Sequence, residues 1–293
     1  MLLQTEFNML SLRSQLASAS VAERRRLLKD IATDIRISVL KTISHAGIGH
    51  IGGEFSAADI LATLFFGVLR VDPLRPAWEQ RDRFILSKGH AASALYATLA
   101  SRGFFPAEWL DTFGKSKSRL SEHPSPHCAP GVELATGSLG HGLGYGAGLA
   151  LAGRIQKQSY RVFALMSDGE CDEGSVWEAS MFIPAHKLDN MAVIIDYNKW
   201  QATGRSNEVM ALAPLRDKFA AFGWNACEVN GHSVPQLLDA LKNVPDGGGK
   251  PLAVIAHTVK GKGVSFMEDD NNWHYRIPND DEVLKAQKEL LPA

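Results

Sequence analysis

Residues Ser167 to Gln201 read SDGECDEGSVWEASMFIPAHKLDNMAVIIDYNKWQ, and the organisation of the whole chain follows from them. The apolar run Val162-Phe163-Ala164-Leu165-Met166 leads in, with the unbroken hydrophobicity of a strand buried on both faces. Asp168 and Gly169 fall at its carboxyl end, where open α/β sheets bind ligands. A helix is expected from about Gly174 to Lys187, then a second buried strand from Met191 to Ile195. Asp196-Tyr197-Asn198 closes that strand. A right-handed crossover joins such parallel strands, so Asp168 and Asn198 can meet at one sheet edge.

Two hard oxygen donors at one edge suit Mg²⁺, which takes one or two protein oxygens and the rest from phosphate and water. Gly169 lets a phosphate approach the backbone closely, because no Cβ intervenes. An Asp-Gly pair after a strand is also an ordinary turn. The spacing adds to the first reading: Asp168-Gly169, 28 residues, then Asn198, with strand–helix–strand between. This pattern resembles the thiamine-diphosphate motif, with Ser167 standing in place of its first glycine.

Length and composition narrow the classes. A chain of 293 residues can bury one large α/β core. A net charge of −1 gives no electrostatic case for nucleic acid or a membrane surface. No uninterrupted run of 18 apolar residues suggests a membrane span. Cys128, Cys171 and Cys227 have no metal or redox spacing, and the N-terminus lacks signal-peptide order. A cytoplasmic location is the expectation.

Outward from the central stretch, Val21 to Ser44 has apolar residues at helical spacing, and residues 1–20 read as a loose arm. The glycines of Ala46 to Gly53 are expected to break that helix. Ser56 is expected to cap a second helix, to about Val68. Arg83 to Leu86 reads as a short strand ending in Ser87-Lys88-Gly89-His90, followed by a helix from Ala91 to Ser101 and a short one from Pro106 to Phe113. Ser116 to Pro130 holds His123 and has no period; a loop that long is often functional. Ala135 to Gly148 reads as a ligand-facing turn feeding a small-residue helix. Asn225 to Val229 and Leu252 to His257 read as further strands, with a helix near Pro235 to Lys242 between them and a terminal helix from Asp280 to Leu291. The expected fold is α/β, a mostly parallel sheet flanked by helices, one domain over residues 1–293.

Taken in order, these segments resemble the N-terminal, diphosphate-binding third of transketolase over most of residues 20–278. Gly49-His50, Ser87-Lys88-Gly89-His90, Glu122-His123-Pro124, Thr136-Gly137-Ser138-Leu139-Gly140, the Asp168 stretch, Lys260-Gly261 and Trp273-His274 carry the resemblance. It implies that Asp168, Asn198 and the Trp200 carbonyl hold Mg²⁺ or Ca²⁺. It implies that Gly169, His90, Lys260, His274 and the turn Gly137-Ser138-Leu139 contact thiamine diphosphate. His50, His123 and His274 would line the substrate channel, and Glu173 and Glu178 would lie at a contact between subunits, Glu173 serving catalysis. His141 and Tyr275 depart from the family pattern. Phe182, Trp177 and Ile183 read as core rather than ligand contacts, with the face around Trp177 and Phe182 partly interface.

The family draws an activating glutamate from a second, pyrimidine-binding domain, and the sequence ends at Ala293 without one. The expectation is therefore one subunit of a split transketolase, moving a two-carbon ketol unit between a sugar or sugar-phosphate donor and an aldose. A C-terminal-type subunit would complete it, as a heterotetramer of two copies of each. The alternatives are a deoxyxylulose-phosphate synthase-like enzyme and a non-catalytic subunit that only holds the cofactor.

Overall fold

A computed structural model describes residues 15–16 and 18–291; the arm expected over residues 1–20 falls largely outside them. Five strands form one sheet, β1 (Arg83–Leu86), β2 (Val162–Ser167), β3 (Met191–Tyr197), β4 (Asn225–Asn230) and β5 (Leu252–His257). They pair in the order β1-β2-β3-β5-β4, all parallel. Alternation within β2 shows why its run is continuously apolar. Phe163 and Leu165 enter one core, while Val162, Ala164 and Met166 enter the other. Both faces are buried, as a parallel sheet requires.

One core lies against α1 (Val21–Ala46), α2 (Ile51–Thr63), α3 (Ala92–Arg102) and α8 (Val234–Leu241); the other lies against α4 (Gly142–Ile155), α5 (Gly174–Ala185) and α7 (Leu215–Ala221). The single turn α6 (Ser206–Val209) follows β3, and α9 (Asp280–Leu290) ends the described chain. Ser20 and Glu23 form a capping box at the start of α1, and Gly47, at φ 71°, ends it in the left-handed conformation.

The second helix departs from expectation. It starts at Ile51, not after Ser56, and takes Gly52 and Gly53 into its first turn. A Cβ on Gly52 would lie 2.8 Å from the Trp273 carbonyl, so packing rather than helix propensity selects glycine there. Ser56 is an interior residue whose hydroxyl donates to the Gly53 carbonyl and to Asp196. The helix continues as a π turn over Leu64–Val68. Ile51–Val68 is long and apolar enough to cross a membrane, yet 89% of it is buried in the fold, so it is a core helix. Strand β3 also runs two residues beyond Ile195, which places Asp196 inside the sheet opposite Ser167 and Ala256.

Ile183 is core, as expected, and Trp177 packs on Phe219 and Phe222. Phe182 does not belong to the core: it is 40% exposed, beside the exposed Met181.

Candidate active site

The carboxyl ends of β1, β2, β3 and β5 open into a cavity of about 560 Å³. Glycine turns place its walls. Gly137 has φ 141°, and a Cβ there would lie 2.7 Å from the His123 ring; a Cβ on Gly89 would lie 2.6 Å from the backbone of Gly137 and Thr136. The turn after β1 and the turn before α4 can therefore touch only through glycine.

Glu170 ties the same turns together from beneath. Its carboxylate accepts from the Ser167 amide at 2.9 Å, the Gly140 amide at 3.1 Å and the Ser87 hydroxyl. Burial pushes this carboxyl up.

Asp168, immediately before Gly169, is fully buried. Its Oδ1 accepts from the Gly169 amide at 3.0 Å, and its Oδ2 from the Lys199 amide and the Ser206 hydroxyl, each at 2.8 Å. Burial, with the Asp196 charge nearby, pushes its carboxyl up to about 7. Asn198 and Trp200 line the cavity. The Asn198 Oδ1 accepts from the Trp200 amide at 3.1 Å.

Four histidines converge on one wall. The His50 ring lies 5.4 Å from His90, 6.2 Å from His123 and 5.7 Å from His274, centroid to centroid. Burial first, then the charges of His123, Lys88 and Lys260, lower His50 to about 4. Burial and Lys260 lower His274 to about 3, and burial with Lys88 takes His90 well below the ordinary range. His50, His90 and His274 are therefore neutral at physiological pH, each imidazole with one basic nitrogen. Lys260 Nζ donates to Asn271 Oδ1 and lies 2.8 Å from His274 Nδ1. Burial and the Lys88 charge lower Lys260 to about 8, which still leaves it mostly cationic near neutrality.

Gly169, Gly137, Leu139 and Glu173 also line the cavity. Two expected residues stand apart. The Ser138 hydroxyl lies 3.4 Å from His141 Nδ1, and Ser138 is not among the residues that line the cavity. Glu178 lies on α5 and lines no part of the cavity. Tyr275, 64% exposed, packs edge-on to His50 at the mouth.

The support beneath the cavity escapes a reading of the sequence alone. Lys88, expected in a polar turn, is fully buried, and its Nζ donates to Asp196 Oδ2 at 2.6 Å and to the Gly53 carbonyl at 2.8 Å. Asp196 also accepts from Ser56 and Thr258. Burial alone would push the Asp196 carboxyl up, but Lys88 and these hydroxyls outweigh it and hold it low. The available signal is a charged residue at the end of an apolar strand run, since such residues are rarely buried unless paired. Glu54 carries no such signal. Buried on α2, it accepts from the Ser93 hydroxyl and the His50 amide, and burial pushes it up to about 7.

The residues fit a diphosphate held through a divalent cation. Asp168 is a buried carboxylate whose raised proton affinity a cation would offset. His50 Nδ1 and Asp172 Oδ1, on two cavity-lining residues, are buried with no hydrogen-bond partner. Gly53, Gly137 and Gly169 line the cavity, and Lys260 supplies a positive charge. Among the described residues no group of three His, Cys, Asp or Glu side chains could hold a metal on its own.

Comparison with known proteins points the same way. The family model described as transketolase, thiamine diphosphate binding domain, matches residues 27–291. One subunit of the apulose-4-phosphate transketolase of Phocaeicola vulgatus is 42% identical over 255 residues, which is 87% of this chain and 90% of that protein. The SqwG subunit of the 6-deoxy-6-sulfo-D-fructose transketolase of a Clostridium species is 40% identical over 248 residues, covering 85% and 90%. Human transketolase is 42% identical over 253 residues, but these are only 40% of its length. The crystal structure of transketolase from Campylobacter jejuni superposes with a TM-score of 0.85 at 28% identity, covering 90% of this chain and 43% of that one.

Proposed function

The chain belongs to the transketolase family, as its thiamine-diphosphate-binding domain, and from that premise we propose that it is the cofactor-holding subunit of a two-subunit ketol transferase. The observation that carries this reading is one of length: the chain covers nine tenths of relatives that are themselves named transketolase subunits. Its substrates on this reading are a ketose or ketose-phosphate donor and an aldose acceptor.

The geometry supports these residue roles. Asp168, the Asn198 side chain and the Trp200 carbonyl would hold the cation, Mg²⁺ or Ca²⁺. Gly169, His90, Lys260 and the backbone of Gly137, Ser138 and Leu139 would hold the diphosphate cofactor. When bound, thiamine diphosphate supplies the carbanion chemistry of ketol transfer. The protein supplies orientation and proton movement. His50, His123 and His274 stand together on one wall of the cavity, where an imidazole can take a proton from a sugar hydroxyl and return it. Glu173 lines the cavity and is exposed, where a second chain can reach it. A C-terminal-type subunit carrying the pyrimidine domain would complete the site, two copies pairing with two of this chain.

The test is an assay of the purified chain with thiamine diphosphate and Mg²⁺, with and without the partner subunit, offering ketose donors or pyruvate. Turnover of a ketose is expected only when both chains are present. Turnover by this chain alone would contradict the two-subunit reading. A preference for pyruvate would assign it to a deoxyxylulose-phosphate synthase-like reaction.

A further inference from the structure

Two loops beside the cavity are pinned to each other. The first is a tight hairpin over 199–206. Trp200 and Arg205 form an isolated antiparallel bridge, the Gln201 amide donates to the Gly204 carbonyl at 2.9 Å, and the Arg205 guanidinium stacks 3.8 Å from the Trp200 ring. The second loop carries Asp269, Asn271 and His274. Asp269 Oδ1 accepts from the Trp200 indole at 2.8 Å and from Arg205 Nη1 at 2.6 Å, and its Oδ2 accepts from Arg205 Nη2 at 2.7 Å. Asn271 adds a second tie, donating to the Ala202 carbonyl at 3.1 Å. Through its Oδ1 it also accepts from Lys260 Nζ, which touches His274.

The arrangement is poorly placed to stabilise the fold. The Arg205 and Asp269 side chains are 36% and 55% exposed, and ion pairs this open to solvent contribute little to stability. It is well placed to fix one wall of the cavity against another. The hairpin carries the Trp200 carbonyl, and Asn198 sits at its base. The second loop carries His274 and is anchored to Lys260, whose carbonyl accepts from the Asp269 amide at 2.9 Å. Asp269 also has φ 58°, a left-handed conformation that Asp, Asn and Gly adopt most readily.

We propose that Asp269 is a positioning residue that clasps the cation-holding hairpin to the Lys260–His274 wall, so that the cofactor meets a cavity already assembled. This rests on the reading of the Trp200 carbonyl as a cation ligand. Without the clasp the hairpin samples other conformations. The apparent dissociation constant then rises in inverse proportion to the fraction of molecules that remain binding-competent.

The test compares Asp269→Gly, which keeps the left-handed backbone but removes every side-chain contact, with Asp269→Asn, which keeps one acceptor for the indole but loses the charge. Each variant, reconstituted with its partner subunit, is titrated calorimetrically with thiamine diphosphate in Mg²⁺. Amide hydrogen exchange over 199–206 and the melting temperature of the ligand-free protein are measured alongside. Asp269→Gly is expected to weaken binding about tenfold, through loss of its contacts with Trp200 and Arg205. Its hairpin amides should exchange faster while its melting temperature stays within about 2 °C of wild type. Asp269→Asn should fall between. Asp168→Ala separates the two assumptions. If it abolishes binding while Asp269→Gly binds like wild type, the clasp is overturned and the site stands. If both bind like wild type, the cation site fails and the clasp with it. A melting-temperature loss in Asp269→Asn large enough to account for its weaker binding would make Asp269 structural and overturn the proposal.

Discussion

Replacing Lys88 with methionine removes the cation from the most deeply buried ion pair beneath the cavity. Both side chains are 0% exposed, with Nζ and Oδ2 2.6 Å apart. Methionine fills nearly the same volume, so the packing term is small. The electrostatic term is not. Asp196 would keep the Ser56 and Thr258 hydroxyls but lose its counter-charge, and breaking a buried pair in this way costs about 3–5 kcal/mol. At roughly 2–3 °C per kcal/mol for a chain of this size, the melting temperature should fall by roughly 6–15 °C. The loss should depend on pH in a defined direction. In the wild type Asp196 is held below the ordinary carboxylate range, so its contribution is present above that range and is lost only as pH falls through its lowered pKa. In Lys88→Met, burial without the lysine raises the carboxyl, and the penalty shrinks as pH falls and Asp196 becomes protonated. The gap between variant and wild type should therefore be wider at pH 8 than at pH 5. The assay is thermal or denaturant unfolding of both proteins across that range. A second variant, Lys88→Met with Asp196→Asn, should recover much of the loss because no charge is left buried. A loss below about 1 kcal/mol in Lys88→Met, or a double variant no better than the single one, would refute the reasoning.

Three further outcomes are expected. His50→Ala and His123→Ala should each lower turnover by about 10²–10⁴ while leaving cofactor affinity near wild type, as measured by steady-state kinetics beside calorimetry. Glu54→Gln should flatten the stability profile: a carboxyl raised to about 7 when folded gives stability that is full below the ordinary carboxylate range and lost as pH rises through 7, so the variant should be relatively more stable at pH 8 than at pH 5 by unfolding. Gly137→Ala must displace His123, whose ring a Cβ would approach at 2.7 Å, and should lower turnover in the manner of His123→Ala with a stability loss of about 1 kcal/mol from the strained φ of 141°.

Features encoded in short windows are legible in the sequence. Unbroken apolar runs mark β2, β3 and β5, because a parallel strand buried on both faces needs nothing else. Turn chemistry at the strand ends marks Asp168, Asn198 and His90. What escapes such a reading depends on partners distant in sequence. Gly52 carries a helix-breaking signature that packing against the Trp273 carbonyl overrides, across a separation of more than 200 residues. Lys88 reads as a solvated turn residue until Asp196, 108 positions on, closes on it. Arg205 and Asp269 are ordinary surface charges until the fold brings together loops 64 residues apart. The short helix α7 follows Pro214 and spans only Leu215–Ala221, too few residues for a period to declare itself. Phe182 reads as core on hydrophobicity alone, a poor guide where an apolar side chain stays at the surface of a helix.

Asp168 and Asn198 as the residues that hold a diphosphate through a divalent cation are the assignment on which the rest depends. The most direct measurement is a calorimetric titration of thiamine diphosphate into the reconstituted protein, with Mg²⁺ and with a chelator, in the wild type, Asp168→Ala and Asn198→Ala. Binding in the wild type should require the cation and be lost in both variants, with the melting temperature of neither lowered enough to explain the loss. Cation-independent binding, or wild-type affinity in either variant, would contradict it.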